Sequence, residues 1–223
     1  MSTKLFFQAL IKILLGFIII GALLFIPARS FDYWNGWLFL GLLFIPMFIA
    51  GFVLMFKNPE LLKRRLNTKE KENDQKIVVM LSGLMFIAGF LIAGLNYRYK
   101  WIEVPDVVVI VSSILFIIAY ILYAEVLREN EYLSRTIEVQ EGQKVVDTGL
   151  YGIVRHPMYA VTILLFLTMP LILGSPISLV IFLIYPILIS KRIKNEEMVL
   201  ERDLEGYKEY KEKVKYRMIP FIW

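Results

Sequence analysis

Apolar residues in this chain come in long blocks separated by short charged stretches. Four blocks, at 5–27, 34–56, 77–96 and 105–127, each approach or exceed the ~20 residues that a helix needs to cross a bilayer. A fifth block, Pro157 to Ser190, runs for 34 residues without one charged side chain. A straight helix of that length reaches ~51 Å, far beyond a ~30 Å hydrocarbon core. Gly174-Ser175-Pro176 interrupts it near the middle, and a proline cannot continue a helix from the turn before it. The pattern predicts a helical hairpin, 157–173 out and 176–190 back, with arms of 17 and 15 residues, close to the shortest that span.

A hairpin returns to the face it left. Arg155-His156 at its entrance and Arg192, Glu196 and Glu197 at its exit are then neighbours in space, though far apart in sequence. Two polar clusters meeting at a membrane surface make a candidate active site.

Composition agrees with the pattern. The 223 residues are 58% hydrophobic, with mean hydropathy +0.63, which is the composition of a membrane protein rather than of a soluble domain. The expected fold is an all-α polytopic membrane protein: four transmembrane helices, a C-terminal transmembrane hairpin and an amphipathic tail helix. It reads as a single domain, with an N-terminal transmembrane pair over 1–56 and a catalytic core over 77–222. No cleavage site follows the first block, which reads as an anchored helix rather than a removed signal. There is no cysteine and only one histidine, His156. Thiolate nucleophiles, iron–sulfur clusters, cysteine-ligated zinc and multi-histidine metal sites are excluded.

The polar stretches differ in texture. Residues 57–76 carry seven Lys or Arg and read as a solvated loop. Within 128–156, Thr136 to Gln140 alternates and Gly142 marks a turn, which predicts a short β-hairpin lying on the membrane. Beyond Arg192, apolar or aromatic residues at Ile193, Leu200, Leu204, Tyr207, Tyr210 and Val214 step by three and four, the pattern of an amphipathic helix. Lys/Arg counting sets the orientation. Residues 28–33 and 97–106 together carry three, against seven in 57–76, four in 128–156 and nine from Lys191 onward. The basic side is expected to be the cytoplasm, with both termini there. The net charge of +5 then reads as an orientation signal and a lipid-headgroup contact. Basic residues interleave with acids, so nucleic acid is not an expected partner.

Taken singly, each cluster has an ordinary reading. Arg155 and His156 are common interfacial anchors. Arg192 and Glu196, four residues apart, can simply pair on a helix face for ~0.3–0.5 kcal/mol. What raises them together is the hairpin, and beside it a resemblance. Gly149-Leu150-Tyr151-Gly152-Ile153-Val154-Arg155-His156-Pro157-Met158-Tyr159, then Arg192-Ile193-Lys194-Asn195-Glu196-Glu197, Gly206-Tyr207, Tyr210 and Ile219-Pro220 resemble the isoprenylcysteine carboxyl methyltransferase family. Phospholipid N-methyltransferases are its wider relatives. Asn58-Pro59-Glu60-Leu61 and Ser134-Arg135-Thr136 add to the likeness. Ala160 and Leu150 depart from it, at positions where glycine and proline are common.

The resemblance implies an integral membrane enzyme with S-adenosylmethionine as cofactor, its active site facing the cytoplasm. Carried over by position, His156, Pro157, Tyr159, Tyr151, Val154, Arg155 and Glu197 are implied to bind the cofactor. Arg192 and Glu196 are implied to be catalytic, with Arg192 orienting the acceptor. Methyl transfer from a sulfonium is an in-line displacement that needs no metal and no protein nucleophile, which suits this composition. A carboxylate acceptor is ionised at neutral pH, and an arginine holds it with two parallel hydrogen bonds. A lipophilic acceptor is expected to enter from the bilayer and the cofactor from the cytosol, with membrane lipids as the other partners. Two alternatives belong to the same enzyme class, a phospholipid methyltransferase and one acting on another small lipophilic N- or S-acceptor. A sterol-reductase-like enzyme using NADPH shares an Arg-His-Pro-x-Tyr element, but Met158 and Ala160-Val161 fit it poorly. A non-catalytic membrane protein or transporter would carry ionisable residues within its spans, and here only Lys12 and Glu125 approach that, near span ends.

Overall fold

A computed structural model describes residues 3–67 and 73–223. Its elements are α1 (Thr3–Ala28), α2 (Trp34–Lys57), α3 (Pro59–Leu66), α4 (Asn73–Tyr99), α5 (Asp106–Glu129), a 3-10 turn (Gly149–Gly152), α6 (Pro157–Ile172), α7 (Pro176–Phe182), α8 (Ile184–Asp203) and α9 (Tyr207–Lys213). Lys4–Ala28, Trp34–Lys57, Gln75–Tyr99, Asp106–Glu129 and Pro176–Asp203 are long and apolar enough to cross a membrane, and α6 is a shorter apolar helix beside them. The fold is that of an all-α polytopic membrane protein. Ile11, Ile18, Ile114 and Ile121, among others, point outward. Such faces are costly against water and ordinary against acyl chains. Between the helices, small residues let backbones approach. Neither Gly89, under the ring of Phe182, nor Gly94, against the backbone carbonyl of Leu24, has room for a Cβ.

The hairpin forms where expected. Gly174 takes φ +70°, a left-handed conformation that costs other residues a steric penalty. Ser175 then caps α7, its hydroxyl accepting from Ser178 N–H (3.3 Å), with Pro176 in the first turn. The tip is buried and held by polar groups from the start of α2 and the end of α4. Tyr33 Oη donates to Leu173 O (2.6 Å), Asn35 Nδ2 to Ile172 O (2.8 Å) and Asn96 Nδ2 to Gly174 O (3.0 Å). These bonds satisfy carbonyls that the end of α6 leaves without helical partners. They also gather the two arginine-poor loops and the hairpin tip at one end of the bundle.

Three expectations are corrected. The return arm does not stop at 190. It bends at Leu183 between α7 and α8, because Pro186 cannot donate to the carbonyl of residue 182 and crowds it. Then α8 continues unbroken through the charged residues to Asp203. The tail beyond is therefore not one amphipathic helix from Arg192 but the end of α8 and the short α9. Tyr207, Tyr210 and Val214 make a small apolar cluster with Leu204. Residues 136–146 form no β-hairpin. The turn at Gly142 is present, with Gln143 N–H donating to Gln140 O (3.1 Å), but no strand ladder extends from it. Side chains take backbone donors there instead: Ser134 Oγ accepts from Thr136 N–H (3.2 Å) and Gln143 Oε1 from Gln140 N–H (2.8 Å).

Nor is the charged run after α2 simply a solvated loop. Asn58 caps α3 by accepting from Leu61 N–H (3.0 Å), and Leu61 and Leu62 are buried. Arg64 Nη1 donates to Glu131 O (2.7 Å), and Arg65 bonds to the Tyr123 hydroxyl. Lys69 and Lys71 lie outside the described residues.

Candidate functional site

Arg155 and His156 stand just before the first residue of α6, where backbone N–H groups have no helical acceptor. Their amides pair with the tail instead: Arg155 N–H donates to Tyr216 O (2.9 Å) and His156 N–H to Arg217 O (2.8 Å). On α8, Arg192, Glu196 and Glu197 fall within one turn and a half, so they present two adjacent faces to the hairpin mouth. The entrance and exit clusters meet there, as two polar layers.

The deeper layer is centred on Glu197, 3% exposed. Its Oε1 accepts from Arg155 Nε (2.8 Å) and Nη2 (2.8 Å) and lies 3.3 Å from His156 Nε2. Its Oε2 accepts from Arg217 Nε (2.9 Å). Arg155 Nη1 donates onward to the carbonyls of Val214 (2.6 Å) and Lys215 (2.8 Å). One carboxylate thus ties α6, α8 and the tail together. Arg217 lies over the ring of Trp223, 5.2 Å from its centroid.

The second layer runs through Tyr159. Its hydroxyl donates to Glu196 Oε2 (2.5 Å) and accepts from Arg192 Nε (3.0 Å). Arg192 is 8% exposed. It donates further through Nη1 to Gln75 Oε1 (3.2 Å) and through Nη2 to Arg135 O (2.6 Å). Tyr159 therefore stands between the two residues that a helix-surface pair would have joined directly. Glu196 is half-buried, while Glu197 is enclosed.

The other candidates sit around these layers. Tyr151 is buried, accepting at its hydroxyl from Asn130 Nδ2 (3.0 Å) and at its carbonyl from Tyr210 Oη (2.7 Å). Val154 is buried and closes the 3-10 turn by donating to Leu150 O (3.1 Å). Pro157 is buried in the first turn of α6. Gly149, at φ +52°, lies against the Glu129 carboxylate, which accepts from Leu150 N–H (3.1 Å).

Among the described residues, three buried polar atoms have no hydrogen-bond partner: Gln75 Nε2, Asn195 Nδ2 and Tyr207 Oη. Buried polar atoms are rarely left so, and here Gln75 bonds Arg192, Asn195 precedes Glu196 in sequence, and Tyr207 lies near the Glu196 and Glu197 carboxylates. Burial, with the carboxylates of Glu197 and Glu196 nearby, pushes the Tyr207 hydroxyl well above the usual phenol range, so it stays a donor. By contrast, an apolar groove of about 480 Å³ lined by Phe17, Ile18, Phe25 and Trp37 shares no residue with these layers. It faces acyl chains and offers a polar cofactor little to bind.

Gln75, Arg217 and the carbonyl of Arg135 were not legible as site groups. Gln75 is one polar residue at the edge of an apolar block. Arg217 stands in an extended tail with no helical period to mark it.

Residues 107–202, from α5 to near the end of α8, match the model of the Isoprenylcysteine carboxyl methyltransferase (ICMT) family. The family resemblance of the two motifs is thereby shown, over a segment that contains both. No curated protein matches the chain. Gln75 and Arg217 lie outside the matched segment.

Proposed function

From that methyltransferase-family segment, we propose that the protein is a membrane methyltransferase using S-adenosylmethionine, and that it methylates the carboxylate of isoprenylcysteine or of a similar lipophilic acceptor. The observation that carries this reading is the buried Arg192, fixed by Tyr159, Gln75 and the Arg135 carbonyl at the mouth of the hairpin. A guanidinium held on several sides costs little to reorganise when an anion arrives. It suits a carboxylate better than a protonated amine.

The residues present fit the cofactor. Glu196 offers a half-buried carboxylate for a cation, and the unpartnered Tyr207 hydroxyl, near that carboxylate, offers a donor. When bound, the cofactor supplies an electrophilic methyl group. The chain's part is to bind and orient. Arg192 holds the acceptor oxygen, and Tyr159 couples Arg192 to Glu196. Glu197 acts one layer behind, keeping His156, Arg155 and Arg217 in place. No protein group needs to give or take a proton when the acceptor is an ionised carboxylate. The lysine and arginine asymmetry supports a cytoplasmic site with both termini on that side.

Incubating detergent-solubilised protein with methyl-labelled S-adenosylmethionine and host membrane extract tests this. The expected result is a lipophilic labelled product that releases its label as methanol in mild alkali, the behaviour of a methyl ester. Alkali-stable label on an amine would replace the carboxyl reading with an N-methyl one. No labelled product in any fraction would remove the methyltransferase reading.

A further inference from the structure

We propose that Gln75 is an acceptor-binding residue, its side-chain amide nitrogen forming with Arg192 a donor-only cradle that selects an anionic oxygen acceptor. The inference rests on the proposed function and adds a residue from outside the matched segment, on a different helix from the motifs.

Gln75 opens the membrane-spanning part of α4 and is fully buried, at 0% exposure. Its Oε1 accepts from Arg192 Nη1 at 3.2 Å. Arg192 carries only donors, so the amide oxygen must face it and the amide nitrogen must face away. That nitrogen is buried and has no partner. An amide placed only to pack or to support Arg192 would leave two donor hydrogens stranded at a cost comparable to a lost hydrogen bond. An arriving oxyanion removes that cost.

The chemistry of the cradle follows. Arg192 offers charge and Gln75 offers neutral N–H groups, with no acceptor among them that is not already turned toward Arg192. A carboxylate satisfies both. An ammonium brings donors to donors and leaves the amide stranded, while a thiol sulfur is only a weak acceptor, and sites built to hydrogen-bond a substrate group reject analogues that lack it by large factors. The residue would thus favour O-methylation of an acid over N- or S-methylation.

The test uses the full-length protein in detergent with N-acetyl-S-farnesyl-L-cysteine as acceptor at saturating S-adenosylmethionine. Gln75→Met keeps the length of the side chain and removes the amide. Gln75→Glu keeps an oxygen for Arg192 and removes the donor. The acceptor KM should rise about 10-fold or more in Gln75→Met, the scale of losing a hydrogen bond to a charged group, and further in Gln75→Glu, where a carboxylate faces a carboxylate. Cofactor affinity by calorimetry should stay within about twofold of wild type in both. A packing role would instead lower the unfolding temperature of Gln75→Met and leave the KM of Gln75→Glu unmoved. That outcome overturns the inference while the methyltransferase reading stands. If Gln75→Met does not fold, the KM of Gln75→Glu decides alone. Should the wild type methylate amine lipids and not the carboxylate, the cradle is wrong and the enzyme class survives. Should it transfer no methyl group at all, both fall.

Discussion

Arg192→Ala should lower methyl transfer by ~10²-fold or more, the scale of losing one preorganised electrostatic contact. An exposed ion pair on a helix would predict almost no change, because such pairs are worth well under ~1 kcal/mol. The structure separates the two cases. Arg192 is buried and donates to Tyr159, Gln75 and the Arg135 carbonyl. Truncation strands those acceptors, so stability should also fall, by ~1–3 kcal/mol. Activity must therefore be read per folded molecule, with thermal unfolding of each variant beside the assay. Arg192→Lys should recover part of the rate and no more, because an ammonium cannot reproduce a planar fork that reaches three partners at once. Glu196→Gln should lose activity more than stability, since its carboxylate is half-buried and its hydroxyl partner remains. Wild-type turnover per folded molecule in Arg192→Ala would remove that residue from the site.

Arg155→Ala is expected to act differently, through the fold. Removing one partner of a buried ion pair costs up to ~3–5 kcal/mol, less here in so far as Arg217 still faces Glu197. Here the loss includes the bonds to Val214 and Lys215 that fasten the tail. The tail should then detach, exposing Lys213, Lys215 and Arg217 to trypsin before the membrane helices open. Glu197→Gln should destabilise comparably, because two guanidinium groups lose their shared counter-charge. The double variant Arg155→Ala with Glu197→Gln should lose less than the sum of the two, as groups in one network do. Equal and additive losses below ~1 kcal/mol would show that the cluster is not holding the tail.

Much of this was readable before the structure, for physical reasons. A run of 34 uncharged residues can cross a bilayer only by turning back, and Gly174-Ser175-Pro176 marks the turn. That alone places Arg155 near Glu197, and the structure puts them in contact at 2.8 Å. What was not legible lacks a periodic or compositional mark. The bend at Leu183 comes from Pro186, whose effect depends on whether the arm stays helical beyond it. The extension of α8 to Asp203 was hidden because charged residues signal the membrane edge whether or not the helix continues past it. The hydrogen bonds from Tyr33, Asn35 and Asn96 to the hairpin tip join helix ends that no spacing rule relates. The docking of α3 on residues 131–134 depends on Arg64 and Arg65 finding carbonyls, which a count of charges cannot distinguish from solvation. Gln75 belongs with these, a polar residue that gains meaning only from Arg192 beside it.

The hairpin mouth is proposed to bind S-adenosylmethionine. Calorimetry on the purified protein tests it most directly, with S-adenosylmethionine and NADPH titrated in parallel into wild type, His156→Ala and Tyr159→Phe. Saturable binding of S-adenosylmethionine to the wild type is expected, with none of NADPH, and a clear loss of affinity in both variants while they still unfold cooperatively. Binding of NADPH instead, or unchanged affinity for S-adenosylmethionine in both folded variants, would contradict it.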